Sequence, residues 1–187
     1  MHFFIISKIK VLLKFIESFA STLESLKLDQ VNFRNSEQFN EFTKNLINLR
    51  HLELVSCELD DQVVPEHSIL PNLRSALFKD ISSNFLSAFE LLKNLECVKY
   101  IDVTYRDRYE FFLYTDFHYP FVELFKKNPS IQHLSLEGIG TGFILEFAAI
   151  KLRKLDVCSS FYWTTGALNG QKEHLRELTI MSLPNSF

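Results

Sequence analysis

The stretch Leu49-Arg50-His51-Leu52-Glu53-Leu54-Val55-Ser56-Cys57-Glu58-Leu59 places Leu52 and Leu54 two residues apart, with Leu49 three residues upstream of the first. A β-strand sends successive side chains to opposite faces, so Leu52 and Leu54 point one way while His51, Glu53 and Val55 point the other. Leu49 packs inward where the chain enters the strand. The hexad apolar-x-x-apolar-x-apolar with polar spacers returns as Leu23-Glu-Ser-Leu26-Lys-Leu28, Ile131-Gln-His-Leu134-Ser-Leu136, Leu152-Arg-Lys-Leu155-Asp-Val157 and Leu175-Arg-Glu-Leu178-Thr-Ile180, with a further match at Ile6-Ser-Lys-Ile9-Lys-Val11. Leu, Ile and Val make up 50 of the 187 residues. About 0.5 such hexads are then expected by chance, and six occur.

Leu73-Arg-Ser-Ala76-Leu-Phe78 is a degenerate copy, and the stretch Leu95 to Val103 contains another in one of two registers, starting at Leu95 or at Val98. First positions at 23, 49, 73, 95, 131, 152 and 175 give steps of 26, 24, 22, 36, 21 and 23 residues. All but one fall in the roughly 20 to 29 residue period of a repeat built from one short strand and a return connection. A single repeat cannot hide its leucine stripe from water, whereas parallel stacking makes the stripe a continuous core. The expectation is a single α/β solenoid domain over residues 1–187 with about seven repeats. Its parallel strands, near 23–28, 49–54, 73–78, 95–103, 131–136, 152–157 and 175–180, line the concave face, and helices and irregular connectors form the convex face.

The connectors carry their own signals. Phe39, Phe42 and Leu46 follow helical spacing in Ser36 to Leu46, with Ser36 placed to cap the start. Phe85, Phe89 and Leu92 repeat the pattern in Ser83 to Leu95, Pro120 can open a helix ahead of Val122, Leu124 and Phe125, and Phe143 to Ala149 is the fourth helical stretch. Asp60 to Leu70, which contains Pro65, and Trp163 to Gly170 read as irregular. The 36-residue step places about ten extra residues within Asp102 to Pro120, rich in Tyr and Phe. That insertion is either an enlarged convex loop whose aromatics cover its own base or a protruding binding loop.

Leu49 to Leu59 also fits the leucine-rich-repeat consensus L-x-x-L-x-L-x-x-N/C-x-L at every specified position, with Cys57 at the variable site. The chain therefore resembles the cysteine-containing repeats of F-box leucine-rich-repeat proteins over roughly residues 20 to 185. Elsewhere the cysteine site is taken by Val31, Ile81, Ile139, Ser160 and Leu183. In that family an F-box near the N-terminus docks on the adaptor of a cullin ubiquitin ligase and the repeats hold the substrate. No F-box is found here, since the first convincing repeat already begins at Leu23. The resemblance thus implies a ligase adaptor as partner only if an F-box lies outside this chain. The chain closes just after a strand pattern with no polar capping repeat, so a piece of a longer protein is expected, a diverged short member being the alternative.

Composition narrows the function classes. With 47% apolar and 23% charged residues the chain has the make-up of a folded protein, and 20 basic against 23 acidic residues give a net charge of -3. That balance disfavours a nucleic-acid stripe. No run approaches the roughly 18 to 20 apolar residues of a membrane helix. Three cysteines without a CxxC pair, and no Asn-X-Ser/Thr acceptor free of proline, point to a cytoplasmic or nuclear address.

A search for catalytic groups returns little. His133 and Cys158 fall on neighbouring strands four positions apart, roughly 13 Å, too far for a dyad. His51 and His133 share one column three strands apart, on the order of 14 Å, too far for a common metal. Gly138-Ile-Gly140-Thr-Gly142 lacks dinucleotide and Walker spacing, and Asp60-Asp61 reads as a solvated turn. No enzyme activity, cofactor or metal is expected.

What is left is a surface. Third, fifth and seventh positions line the concave face, including Ser25, Lys27, Asp29, His51, Glu53, Ser75, Lys79, His133, Ser135, Lys154, Asp156, Cys158 and Glu177. Within that set Lys27, Asp29, His51, Glu53, Lys79, His133, Ser135, Lys154, Asp156 and Glu177 are the candidate contacts. Mixed charges beside small and apolar groups suit a protein partner better than a polyanion. The expected function is a non-enzymatic protein-binding module, by resemblance the substrate-recognition part of an F-box type ubiquitin ligase subunit. The alternative is a structural or regulatory scaffold with no ligase link.

Overall fold

The computed structural model describes residues 11, 13–33, 35–59, 70–81, 89, 92, 94–101, 123–137, 150–158 and 171–181. Seven strands form one parallel sheet: β1 (Ser25–Asp29), β3 (His51–Val55), β5 (Ser75–Lys79), β6 (Cys97–Ile101), β7 (His133–Glu137), β8 (Lys154–Cys158) and β9 (Glu177–Met181). They lie side by side in chain order, and each has five residues. The architecture is a parallel-strand solenoid. Behind it β2 (Asn32–Phe33) and β4 (Glu58–Leu59) pair as a second, two-stranded parallel sheet that the sequence does not announce.

Every strand of the main sheet begins at the third hexad position, two residues later than the leucine pattern alone suggests, and ends at the seventh. The first two positions belong instead to the entry turn. The second-position carbonyl of one repeat accepts from the second and third N–H groups of the next. Glu24 O takes Arg50 and His51, Arg50 O takes Arg74 and Ser75, and the same fork continues through Arg74, Glu96, Gln132 and Arg153. This fork locks the register, so Leu26, Leu52, Ala76, Val98, Leu134, Leu155 and Leu178 form one row across the sheet. The same register decides the ambiguous stretch at 95–103 in favour of Leu95, because Cys97 pairs with Ser75 and His133.

At the strand exits Gln30, Ser56 and Asp80 take φ of 55°, 47° and 49°. These left-handed residues stand at the eighth position of three successive repeats, and each donates its N–H across to the next strand end, at Val55 O, Lys79 O and Ile101 O. A non-glycine residue there costs roughly 1–2 kcal/mol, which the cross-strand bond offsets.

The leucines face inward as the alternation requires. Leu49, Leu73, Leu95, Ile131 and Leu152 are fully buried at first positions, as are Leu54, Ala76, Phe78, Val98, Leu134 and Leu155 within the strands. Each Leu, Ile, Val or Phe side chain in this set contributes about 1.5–3 kcal/mol relative to exposure. Cys57 is buried too, its thiol facing the carbonyls of Leu28 and Val55 at 3.6 and 3.4 Å, as a small core residue at the turn should be.

Behind the sheet, the helix Ser36–Thr43 buries Phe39 and Phe42, with Leu46 buried just beyond it. Its cap is Asn35 rather than Ser36. Asn35 is extended and its Oδ1 accepts from Gln38 N at 2.8 Å, satisfying an orphan N–H of the first turn. Phe33, Phe39, Phe78 and Phe89 form a chain of ring contacts with centroids 5.0 to 5.7 Å apart, filling the space between helix and sheet. Residues 123–127 are helical with Leu124 and Phe125 buried, as their spacing predicts, and residues 13–17 are also helical. Among the described residues no helix is long and apolar enough to cross a membrane. The expectations for Asp102 to Pro120, Phe143 to Ala149, the glycine loop at Gly138, Asp60-Asp61, Trp163 to Gly170 and the hexad at Ile6 lie outside the described residues, as does most of Ser83 to Leu95.

A column of asparagines braces the repeats. Asn48, Asn72 and Asn94 each precede a first-position leucine, and their side-chain amides donate to Ser21 O, Ile47 O and Pro71 O at 2.5, 2.7 and 2.8 Å. Gln171 does the corresponding work near β9, accepting from Leu152 N and donating to Ile150 O.

Candidate functional site

The face of the sheet opposite the core is built from three columns. Third positions run Ser25, His51, Ser75, Cys97, His133, Lys154, Glu177, and fifth positions run Lys27, Glu53, Leu77, Lys99, Ser135, Asp156, Thr179. Seventh positions run Asp29, Val55, Lys79, Ile101, Glu137, Cys158, Met181. All ten candidate contacts stand on this face, as period-2 alternation demands.

They do not form one site. A groove of about 510 Å³ crosses the middle of the face and gathers His51, Glu53, His133, Ser135 and Asp156 together with Ser75, Leu77, Cys97 and Lys99. Lys27, Asp29, Lys79, Lys154 and Glu177 do not line it. Opposite charges on neighbouring strands pair across the sheet. Lys27 Nζ lies 3.5 Å from Glu53, and Lys154 Nζ lies 3.6 Å from Glu177 and 3.9 Å from Asp156. The Lys27–Glu53 pair is about half exposed, so it contributes little stability and mainly keeps both charges in place on the surface.

The centre of the groove holds a connected set that sequence spacing did not bring together. His133 Nε2 is 2.8 Å from Asp156 Oδ2, and His133 Nδ1 is 3.3 Å from Cys97 Sγ. A carboxylate only accepts, which places the imidazole proton on Nε2 and leaves Nδ1 with a lone pair for the Cys97 S–H. One tautomer satisfies both contacts. The Ser75 hydroxyl also reaches the sulfur from the other side.

Burial pushes the Cys97 thiol above its ordinary value; the Ser75 hydrogen bond opposes the rise, the Asp156 charge adds to it and the Lys154 charge works against it. At Asp156 partial desolvation works to raise the carboxyl. Hydrogen bonds from His133 and Thr179, with the charges of Lys154 and His133, outweigh that and hold it below the usual carboxylate range. The sulfur is therefore held as a thiol and Asp156 as a carboxylate. Because Cys97 and Asp156 engage opposite nitrogens of one ring, the three donors do not converge on a point as metal ligands do.

His133 and Asp156 were legible as surface residues, but Cys97 was not placed, because the register of 95–103 stood open between two aliphatic starts. The signal that identifies it is the Asn-Leu dipeptide, which marks first positions at 49, 73 and 95 alike. With Leu95 first, Cys97 falls at the third position beside His133. No protein-family model matches the chain, and no curated protein matches it in sequence.

Proposed function

We propose that the chain is a leucine-rich-repeat module of the α/β type that binds a protein partner through the concave face of its sheet and catalyses no reaction on it. The observation that carries this reading is the display itself. Five-residue strands held in register by paired backbone forks present three straight columns of side chains, and such a surface needs little ordering when it binds. Charges of both signs, small hydroxyls and Leu77 alternate on it, which matches the polar, mixed character of a protein interface and not the one-sign field a polyanion requires. The resemblance to F-box leucine-rich-repeat proteins extends the proposal to substrate selection for a ubiquitin ligase, in the case where an F-box precedes this chain in its full reading frame.

Two charge swaps test the reading. Lys27→Glu with Glu53→Lys reverses an ion pair on the open face, and Glu41→Lys with Lys44→Glu reverses a pair on the helix behind the sheet. Both keep the pair, so each is expected to change stability by no more than about 0.5 kcal/mol. Affinity for a partner captured from cell extract should fall at least tenfold with the first swap and stay unchanged with the second. Loss with the second swap alone would overturn the assignment of the face. Binding of the full-length protein to the ligase adaptor separates the ligase role from a scaffold role.

A further inference from the structure

The Cys97, His133 and Asp156 set has the parts of an activated nucleophile. A sulfur sits within reach of a base, the base is oriented by a carboxylate, and all three open on one groove. Three neighbouring strands supply them at matched register. Cys97 and His133 are direct partners across β6 and β7, and Asp156 stands two residues along β8 from the partner of His133, which is Lys154. The scaffold is rigid sheet, so the arrangement is fixed before any ligand arrives. Cys57, by contrast, is wholly buried in the core, and Cys158 pairs with Glu137, four residues along from His133 and about 13 Å away.

The surroundings choose the chemistry. Acyl transfer needs backbone N–H donors aimed at a developing oxyanion, and on β6 and β7 those groups are committed to the parallel ladder and the entry fork. Conjugate addition puts its negative charge on an oxygen several bonds from the sulfur and needs no such hole. Lys99 follows Cys97 by two residues on the same face and lines the same groove, supplying positive charge for an enolate oxygen. We propose that Cys97 is a nucleophilic thiol, with His133 as its base and Asp156 as positioning residue, that takes α,β-unsaturated carbonyl compounds as covalent adducts.

In this step the Cys97 S–H bond breaks and its proton passes to Nδ1 of His133, while the sulfur pair forms a bond to the β-carbon of the acceptor. The carbon–carbon π pair shifts to give the enolate. The imidazolium, with Nε2–H held on Asp156, returns the proton from Nδ1 to the α-carbon. The sum is addition of S–H across one double bond, with no oxidant or reductant and no leaving group. The reaction is stoichiometric, so it stands beside a binding function without requiring turnover, and it is independent of which protein, if any, the face recognises.

N-ethylmaleimide is the probe, and peptide mass spectrometry of the full chain reads the labelling rate at each cysteine. Cys57 reports unfolding and Cys158 reports general thiol reactivity in the same molecules. His133→Ala is expected to slow Cys97 labelling at least tenfold, in keeping with the usual contribution of a general base, while leaving Cys57 protected and Cys158 unchanged. Millimolar imidazole should return part of the Cys97 rate in that variant and leave Cys158 unaffected. Asp156→Asn can donate to Nε2 and so lets the ring proton sit on Nδ1, and it should slow Cys97 about threefold or more. A Cys97 rate in His133→Ala equal to or above that of the unaltered protein, with Cys57 still protected, would overturn the proposal. Should His133→Ala expose Cys57, Asp156→Asn decides on the same two outcomes.

Discussion

Strands β7 and β9 carry the same hexad and meet opposite fates. In β7, Leu134 and Leu136 are 0% and 1% exposed, whereas in β9 Leu178 and Ile180 are 46% and 61% exposed. Both strands pair in register, and both point their leucine faces the same way across the sheet. What differs is the number of flanking repeats, since among the described residues β7 has a neighbour on each side and β9 only β8. In a solenoid the pattern chooses the face, and adjacent repeats supply the burial. The β1 end differs again. There Leu28 is buried, and Leu13, Ile16 and Ala20, from residues 13–17 and the turn after them, join the same core.

The comparison breaks most visibly under charge. Leu134→Asp places an unpaired carboxylate in the core and should cost more than about 4 kcal/mol, a large part of the stability of an ordinary domain, so its thermal transition should be lost or shifted by tens of degrees. Ile180→Asp puts the same charge at the sixth hexad position of β9, in register with Leu136 of β7, and should stay within about 0.5 kcal/mol of the unaltered protein. Equal damage from both would mean that β9 is covered like an inner strand.

A smaller effect sharpens the picture between repeats. Asn72→Ala removes the amide that ties one entry turn to Ile47 O, and denaturant melts should show a loss of about 0.5–1.5 kcal/mol. An unchanged midpoint would reduce the asparagine column to a solvated surface feature.

The inner strands were readable because two constraints coincide in them: aliphatic residues at period two, and a repeat length that returns each hexad beside the last. Leu49 to Leu54 satisfies both, so its face and its neighbours follow from spacing alone. Leu95 to Val103 satisfies the second constraint but offers Leu95 and Val98 as equal starts, and hydrophobicity does not choose between them. That one ambiguity hid the Cys97–His133 contact, since a slip of three residues moves the thiol off the open face. The cap of the Ser36–Thr43 helix was misplaced by one residue because Asn35 and Ser36 are both good caps, and only the extended backbone of Asn35 decides. The left-handed turns at Gln30, Ser56 and Asp80 left no trace, since none is a glycine and the preference is imposed by the fork of cross-strand bonds.

Through-space proton contacts measured by NMR test the stacking most directly. The account predicts contacts linking Val98, Leu134 and Leu155 in a row, with backbone patterns of parallel pairing and the partners Cys97–His133 and His133–Lys154. Antiparallel cross-strand patterns, helical contacts within residues 131–136, or a row displaced to Ile101–Leu134 would contradict it.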